Sequence, residues 1–231
     1  MTAGPKPILC YVTDGRALKP APAPANPLLN DSIPLRLRLL LDSIGRAAAA
    51  GTDWIQIREK DLDTRPLVEL VHLALAESRD TAARVLVNDR LDIAVAANAG
   101  GIHLGEKSLP LQSVVEWRSS TRRSHFLIGV SCHSLESARE AERGGADYIF
   151  FGPVYATPSK ASFGPPQGIE RLREICTALK IPVLAIGGVN LVNGSECISA
   201  GAAGVAAIRL FQDAADSAEL AAKLKNFSSL Q

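Results

Sequence analysis

The run Ala50-Gly51-Thr52-Asp53-Trp54-Ile55-Gln56-Ile57-Arg58-Glu59-Lys60 reads as a helix end, a glycine and then a strand with two unlike faces. Side chains alternate along a strand, so Gln56, Arg58 and Lys60 share one face and Ile55 and Ile57 take the other. Helices cover the apolar faces of parallel sheets, which leaves the face with two cations and an amide to look into a site. Such a face suits an anion. The plainer alternative is a solvated strand end where Arg58 and Lys60 pair with Glu59 and Asp61.

The same order of alanine-rich stretch, glycine and apolar strand recurs at Gly100-Gly101 before 102–105, Gly144-Gly145 before 148–152, and Gly201 before 205–209. Spacings of roughly 40 to 60 residues suit two strand-helix units per repeat. Glycine fits there because a helix end that turns straight into a strand usually needs a left-handed residue. Four further strands are expected at 8–13, 84–88, 126–131 and 181–186. Helical spacing of apolar residues marks 35–49, 66–78, 91–98, 111–118, 135–143, 168–179, 192–199 and 213–225. Eight alternating units predict an α/β fold, a single (β/α)8 TIM barrel spanning 1–231, with an open doubly wound sheet as the alternative. A Pro/Ala-rich insertion at about 19–34 interrupts the rhythm between strand 1 and helix 1.

At 47% hydrophobic, 21% charged and a net charge of +1, the chain gives no reason to expect nucleic acid or an anionic membrane as partner, so any anion site is local. Cysteines at 10, 132, 176 and 197 lack disulfide or metal-type spacing, and no segment resembles an export signal or membrane span; both readings predict a cytoplasmic protein. A homo-oligomer is left open.

In a barrel of this kind the strands' carboxyl ends line the active site. The polar residues there are Gln56, Arg58 and Lys60 after strand 2, Asn88 and Asp89 after strand 3, and His103, Glu106, Lys107 and Ser108 after strand 4. Ser131 and His133 follow strand 5, and Thr157, Ser159 and Lys160 lie in the loop after strand 6. Gly187-Gly188 end strand 7, and Ile208 and Arg209 end strand 8. Bare glycine backbone ahead of a helix near Asn190 suits a phosphate, or simply a tight turn. Arg58, Lys60 and Lys160, with Asn88 as a donor, form a second cationic group, so two phosphorylated substrates are implied, or one substrate and a leaving pyrophosphate. Asp89 is either the carboxylate that holds magnesium beside this group or the N-cap of the helix at Leu91.

These positions resemble the thiamine phosphate synthase and thiazole tautomerase superfamily over nearly the whole chain. The matches are Gln-Ile-Arg-Glu-Lys at 56–60, Val-Asn-Asp-Arg at 87–90, Gly-Ile-His-Leu-Gly at 101–105 and Ile-Gly-Val-Ser-Cys-His at 128–133, then Gly-Pro-Val-Tyr-Ala-Thr-Pro-Ser-Lys at 152–160 and Ala-Ile-Gly-Gly-Val-Asn at 185–190. The resemblance implies a transferase that joins hydroxymethylpyrimidine pyrophosphate to hydroxyethylthiazole phosphate, releasing pyrophosphate with Mg2+ as cofactor. By that analogy Arg58, Lys60, Asn88 and Lys160 hold the pyrophosphate, with Ser159 close to the leaving group, and Asp89 binds magnesium. Ser131, Thr157 and Gln56 meet the pyrimidine, and Gly188 and the strand 8 end take the thiazole phosphate.

The chain departs from the synthase pattern at Ser108, where synthases usually carry a second magnesium-binding aspartate, which brings in Glu106 as a candidate ligand. It departs again at Arg209, in place of a small hydroxyl residue. Ser108-Leu109-Pro110 looks closer to the tautomerase branch, in which a histidine, here His133, carries the proton. That branch needs no pyrophosphate and leaves the cationic group without a purpose. Other readings are a non-catalytic barrel that binds thiamine precursors, and another phosphate-handling barrel such as a sugar phosphate isomerase.

Overall fold

The computed structural model describes residues 6–18, 33–157 and 165–227. Eight parallel strands, β1 (Ile8–Val12), β2 (Trp54–Ile57), β3 (Arg84–Asn88), β4 (Gly101–Leu104), β5 (Leu127–Cys132), β6 (Tyr148–Phe151), β7 (Val183–Ile186) and β8 (Gly204–Ala207), close into a barrel in chain order. The closing ladder runs from Ile8 opposite Gly204 to Tyr11 opposite Ala207, which rules out the open sheet. Between the strands lie α1 (Leu35–Ala49), α2 (Thr64–Glu77), α3 (Leu91–Ala96), α4 (Leu111–Ser120), α5 (Leu135–Arg143), α6 (Ile169–Ala178) and α7 (Gly194–Ser199). A short α8 (Arg209–Gln212) and α9 (Ser217–Lys225) complete the described helices.

Strand alternation sorts the apolar residues into two cores. Leu9, Tyr11, Ile55, Ile57, Val85 and Val87 face outward and pack with Leu40, Leu41 and Ile44 of α1 and Leu70 and Val71 of α2. Their neighbours Cys10, Val12 and Leu86 point inward and fill the barrel with Tyr148, Phe150, Leu184 and Ala206, with Trp54 packed beside them. The barrel interior is therefore solid below its mouth, and any small molecule must bind above this layer. Truncating an inner residue such as Leu86 to Ala would cost about 2 to 5 kcal/mol.

The repeated helix-to-strand turns differ in detail from expectation. Gly51, Gly145 and Gly201 are left-handed, with φ of 88°, 90° and 100°. Before β4 the left-handed residue is Asn98, at φ 55°. Gly101 serves packing instead, since a Cβ there would lie 2.4 Å from the Leu127 carbonyl oxygen.

Two helix starts also move, and one short helix is new. Asn190 and Asn193 bond each other's backbone in a turn, so α7 begins at Gly194 rather than 192. The carboxylate of Asp216 caps α9 through the N–H groups of Ala218 and Glu219, which sets its start at Ser217 rather than 213. The intervening α8 arises where the chain was expected to leave β8 as loop. Residues 19–32 of the Pro/Ala-rich insertion lie outside the described residues.

Candidate active site

The β2 strand presents its polar residues as alternation requires. Gln56 is buried and donates through Nε2 to Oδ1 of Asn88 on β3 at 2.9 Å, while its own Oε1 is buried with no partner among the described residues. An unmatched buried acceptor is costly, which marks this atom as unusual in the fold. With its oxygen taken by Gln56, Asn88 has its NH2 end for an acceptor.

Arg58 follows directly and is held at its backbone, where its N–H donates to Thr13 Oγ1 at 2.9 Å. Thr13 in turn donates to Glu59 Oε1 at 2.8 Å, and the N–H of Gly15 donates to the same carboxylate. Glu59 points away from the mouth, buried, and pairs with Arg36 of α1 at 2.8 Å. Burial pushes the Glu59 carboxyl up, against its bonds to Thr13, Gly15 and Arg36. Asp61 pairs with Arg36 at 2.5 Å and Arg16 at 3.2 Å, and the bond from Arg36 drives its carboxyl far below the usual range.

The carboxylates that a surface reading would give to Arg58 are thus engaged elsewhere, Glu59 with Arg36 and Asp61 with Arg36 and Arg16. Among the described residues no carboxylate forms an ion pair with Arg58. Lys60 lies exposed in the turn just after this stripe. Lys160 and Ser159 lie outside the described residues.

Asp89 is left-handed at φ 69°, an uncommon state for a residue other than glycine, and such strain gathers at functional sites. It does not cap a helix. Arg90 is the N-cap of α3, and the Asp89 carboxylate instead accepts a short hydrogen bond from the Ser108 hydroxyl, whose oxygen takes the N–H of Gly105 at 2.6 Å. Glu106 faces His133 Nε2 at 3.7 Å, and the other ring nitrogen of His133 meets the Gly152 carbonyl. No group of three or more His, Cys, Asp or Glu side chains able to cage a metal occurs among the described residues. One carboxylate and a hydroxyl do fit magnesium, which keeps several waters and takes substrate phosphate oxygens as ligands.

Across the mouth, Ser131 on β5 bonds His103 Nε2 at 2.9 Å, and His103 Nδ1 meets the Tyr148 hydroxyl at 3.1 Å. His103 is buried, and burial followed by the nearby Arg58 charge takes it down to about 3, so the ring is neutral. Gly187 and Gly188, at φ 94° and 68°, lie against the loop after β6: a Cβ would stand 2.5 Å from Pro153 and 2.7 Å from the Ala156 carbonyl oxygen. The pair therefore lets that loop lie close. At the end of β8, Ile208 packs against the inner core and Arg209 reaches Thr157 Oγ1 at 3.4 Å.

The structure thus joins Gln56 to Asn88, Asp89 to Ser108, Ser131 to His103 and Thr157 to Arg209. Residue-by-residue reading misses Arg36 and Tyr148, whose parts depend on helix docking and on reach across strands. Glu59 carried a usable signal, since it alternates with Arg58 and Lys60 and must point the other way.

A family model described as "Thiamine monophosphate synthase" matches residues 30–211. The thiamine-phosphate synthase of Moorella thermoacetica is 42% identical over 188 residues, 81% of this chain and 88% of the relative. A putative thiamine-phosphate synthase of Geobacter sulfurreducens is 47% identical over 171 residues, 74% of this chain and 78% of the relative. The solved thiamine phosphate pyrophosphorylase of Pyrococcus furiosus superposes with a TM-score of 0.76 at 32% identity and 95% coverage of both chains.

Proposed function

The chain belongs to the thiamine monophosphate synthase family and is a thiamine-phosphate synthase, a transferase that releases pyrophosphate, and from that premise we propose how its rim residues divide the work. Arg58, Lys60, Asn88 and Lys160 hold the diphosphate of hydroxymethylpyrimidine pyrophosphate, with Ser159 beside it. Asp89, with the Ser108 hydroxyl alongside, holds magnesium, which neutralises charge on the diphosphate oxygens when bound. Glu106, turned toward His133, is the weaker candidate ligand.

Gln56 and Ser131 take the pyrimidine, with Thr157 at the border between the two substrates. Ile208, Arg209, Gly187 and Gly188 receive the phosphate of hydroxyethylthiazole phosphate. In the reaction the bond between the methylene carbon and the diphosphate oxygen breaks, and pyrophosphate leaves with the electron pair. The thiazole nitrogen's lone pair then forms the new carbon–nitrogen bond.

Charge develops on the departing oxygens, and cations already in place stabilise it without reorganisation. The aminopyrimidine ring stabilises the carbon, so no protein nucleophile is needed. His133, the proton carrier in the tautomerase reading, has a ring nitrogen against the Gly152 carbonyl, and in the synthase reading its part is to support the β6 loop.

The observation that carries this reading is the inward stripe of Gln56 and Arg58, whose neighbouring carboxylates are committed to Arg36. A tautomerase has no use for that arrangement. Its test is diphosphate binding: wild type should bind inorganic pyrophosphate with magnesium present, and Arg58→Ala should weaken it at least tenfold. Equal binding by both would refute the assignment of Arg58.

A further inference from the structure

A chain of three hydrogen-bonding groups runs from the barrel's sealed interior to its mouth. Tyr148 on β6 is fully buried, ringed by Val12, Leu86, Phe150, Leu184 and Ala206. Its hydroxyl crosses the face of β5 to His103 on β4, and only a glycine at the strand between permits this. A Cβ on Gly129 would lie 2.1 Å from Cζ of Tyr148 and 2.4 Å from its hydroxyl oxygen. Trp54 packs on the Tyr148 ring at 4.5 Å between centroids, and Phe150 on His103 at 4.1 Å, so both rings are held in orientation.

The direction of the bonds follows from what is buried. Tyr148 and His103 are both buried and their described side-chain partners are neutral hydroxyl and imidazole groups, so the phenol holds its proton and the imidazole holds one. Nδ1 of His103 is the only described hydrogen-bond partner of the phenol. If His103 donated from Nδ1, the buried phenol proton would have no acceptor, which costs about 1 to 3 kcal/mol. The phenol therefore donates to Nδ1, which places the imidazole proton on Nε2 and turns it toward Ser131 Oγ at 2.9 Å. Ser131 then spends an oxygen lone pair inward and keeps its own proton for the mouth.

We propose that the Tyr148–His103–Ser131 chain is a directional relay that makes Ser131 an obligate hydrogen-bond donor to a ring-nitrogen acceptor of the pyrimidine substrate. The choice of ligand rests on the assignment of the pyrimidine to Ser131 above. Tyr148 and His103 are positioning residues that never meet the substrate. The relay makes Ser131 read the ring nitrogen itself, so a ring bearing C–H at that position meets an unmatched hydroxyl proton.

Two measurements test this on the intact chain. With 15N-labelled histidine at neutral pH, long-range 1H–15N correlation spectra should show His103 protonated at Nε2, assigned by loss of its signals in His103→Gln. Protonation at Nδ1 would overturn the relay without touching the enzyme's assigned reaction. In the second, the pyrimidine diphosphate is compared with two analogues, each carrying C–H in place of one of the two ring nitrogens. Wild type should bind the weaker of the two analogues at least tenfold more weakly than the parent, and Ser131→Ala should remove most of that difference. Equal binding of parent and both analogues by wild type would overturn the proposal even if Nε2 carries the proton. Failure of the parent pyrimidine diphosphate to bind would instead refute the pyrimidine site.

Discussion

The hydroxyl of Ser108 donates to the carboxylate of Asp89, and Asp89 is held at φ 69° where it receives that bond. One carboxylate and one hydroxyl therefore stand at the junction of the β3 and β4 loops. Magnesium bound there, as proposed, would have few protein ligands and would draw on the diphosphate itself. Ser108→Asp should tighten magnesium binding in the absence of diphosphate by about tenfold, roughly 1.4 kcal/mol. Calorimetric titration with magnesium alone and with inorganic pyrophosphate checks this. Asp89→Asn, which tolerates the left-handed backbone, should stay folded yet lose magnesium-dependent pyrophosphate binding.

His103 supplies a pH dependence whose sign is set by its lowered value. Its unfolded form takes up a proton near the ordinary pKa of about 6.5, whereas the folded form resists until about 3. In that window the unfolded state holds more protons, so stability should fall as pH drops, by up to about 1.4 kcal/mol per pH unit. Subtracting the denaturation profile of His103→Gln from that of wild type isolates the effect. Identical slopes in the two proteins would show that His103 is not held neutral.

Much of the barrel is legible in advance because each strand carries its own two-sided pattern. Ile55 and Ile57 against Gln56 and Arg58 announce a strand with a covered face and a working face, and closure from Gly204 to Ile8 bears out the repeat. What escapes is whatever depends on reach across the sheet. Nothing local says that Arg36 takes both Glu59 and Asp61, that Ser108 bonds Asp89, or that Tyr148 passes over Gly129. Asp89 is a particular lesson: its place before Leu91 suggests a helix cap, but the cap falls to Arg90 and the carboxylate bonds Ser108 instead.

Lys60 and His133 separate charge stabilisation from proton transfer. Lys60→Ala should cut kcat/KM for thiamine phosphate formation about a hundredfold or more, in line with loss of a preorganised group on a developing anion. His133→Ala should cost roughly tenfold or less, since its ring bonds the Gly152 carbonyl. Steady-state kinetics of both variants decides it, and a reversed ranking would favour proton-transfer chemistry.

Arg209 bridges toward the β6 loop through Thr157. If it grips the thiazole phosphate, Arg209→Ala should raise KM for that substrate about tenfold and leave KM for the pyrimidine substrate near its original value. Arg209→Lys should recover only part of the loss, because an ammonium cannot reproduce the planar fork.

The central claim is that the β2 and β3 rim is a diphosphate site serving bond cleavage. Its most direct measurement is pyrophosphate release by the purified chain with both precursors present and magnesium varied. Release that requires both precursors, rises with magnesium and is nearly abolished in Arg58→Ala is the predicted result. Absence of release from the wild-type chain at every magnesium concentration would contradict it.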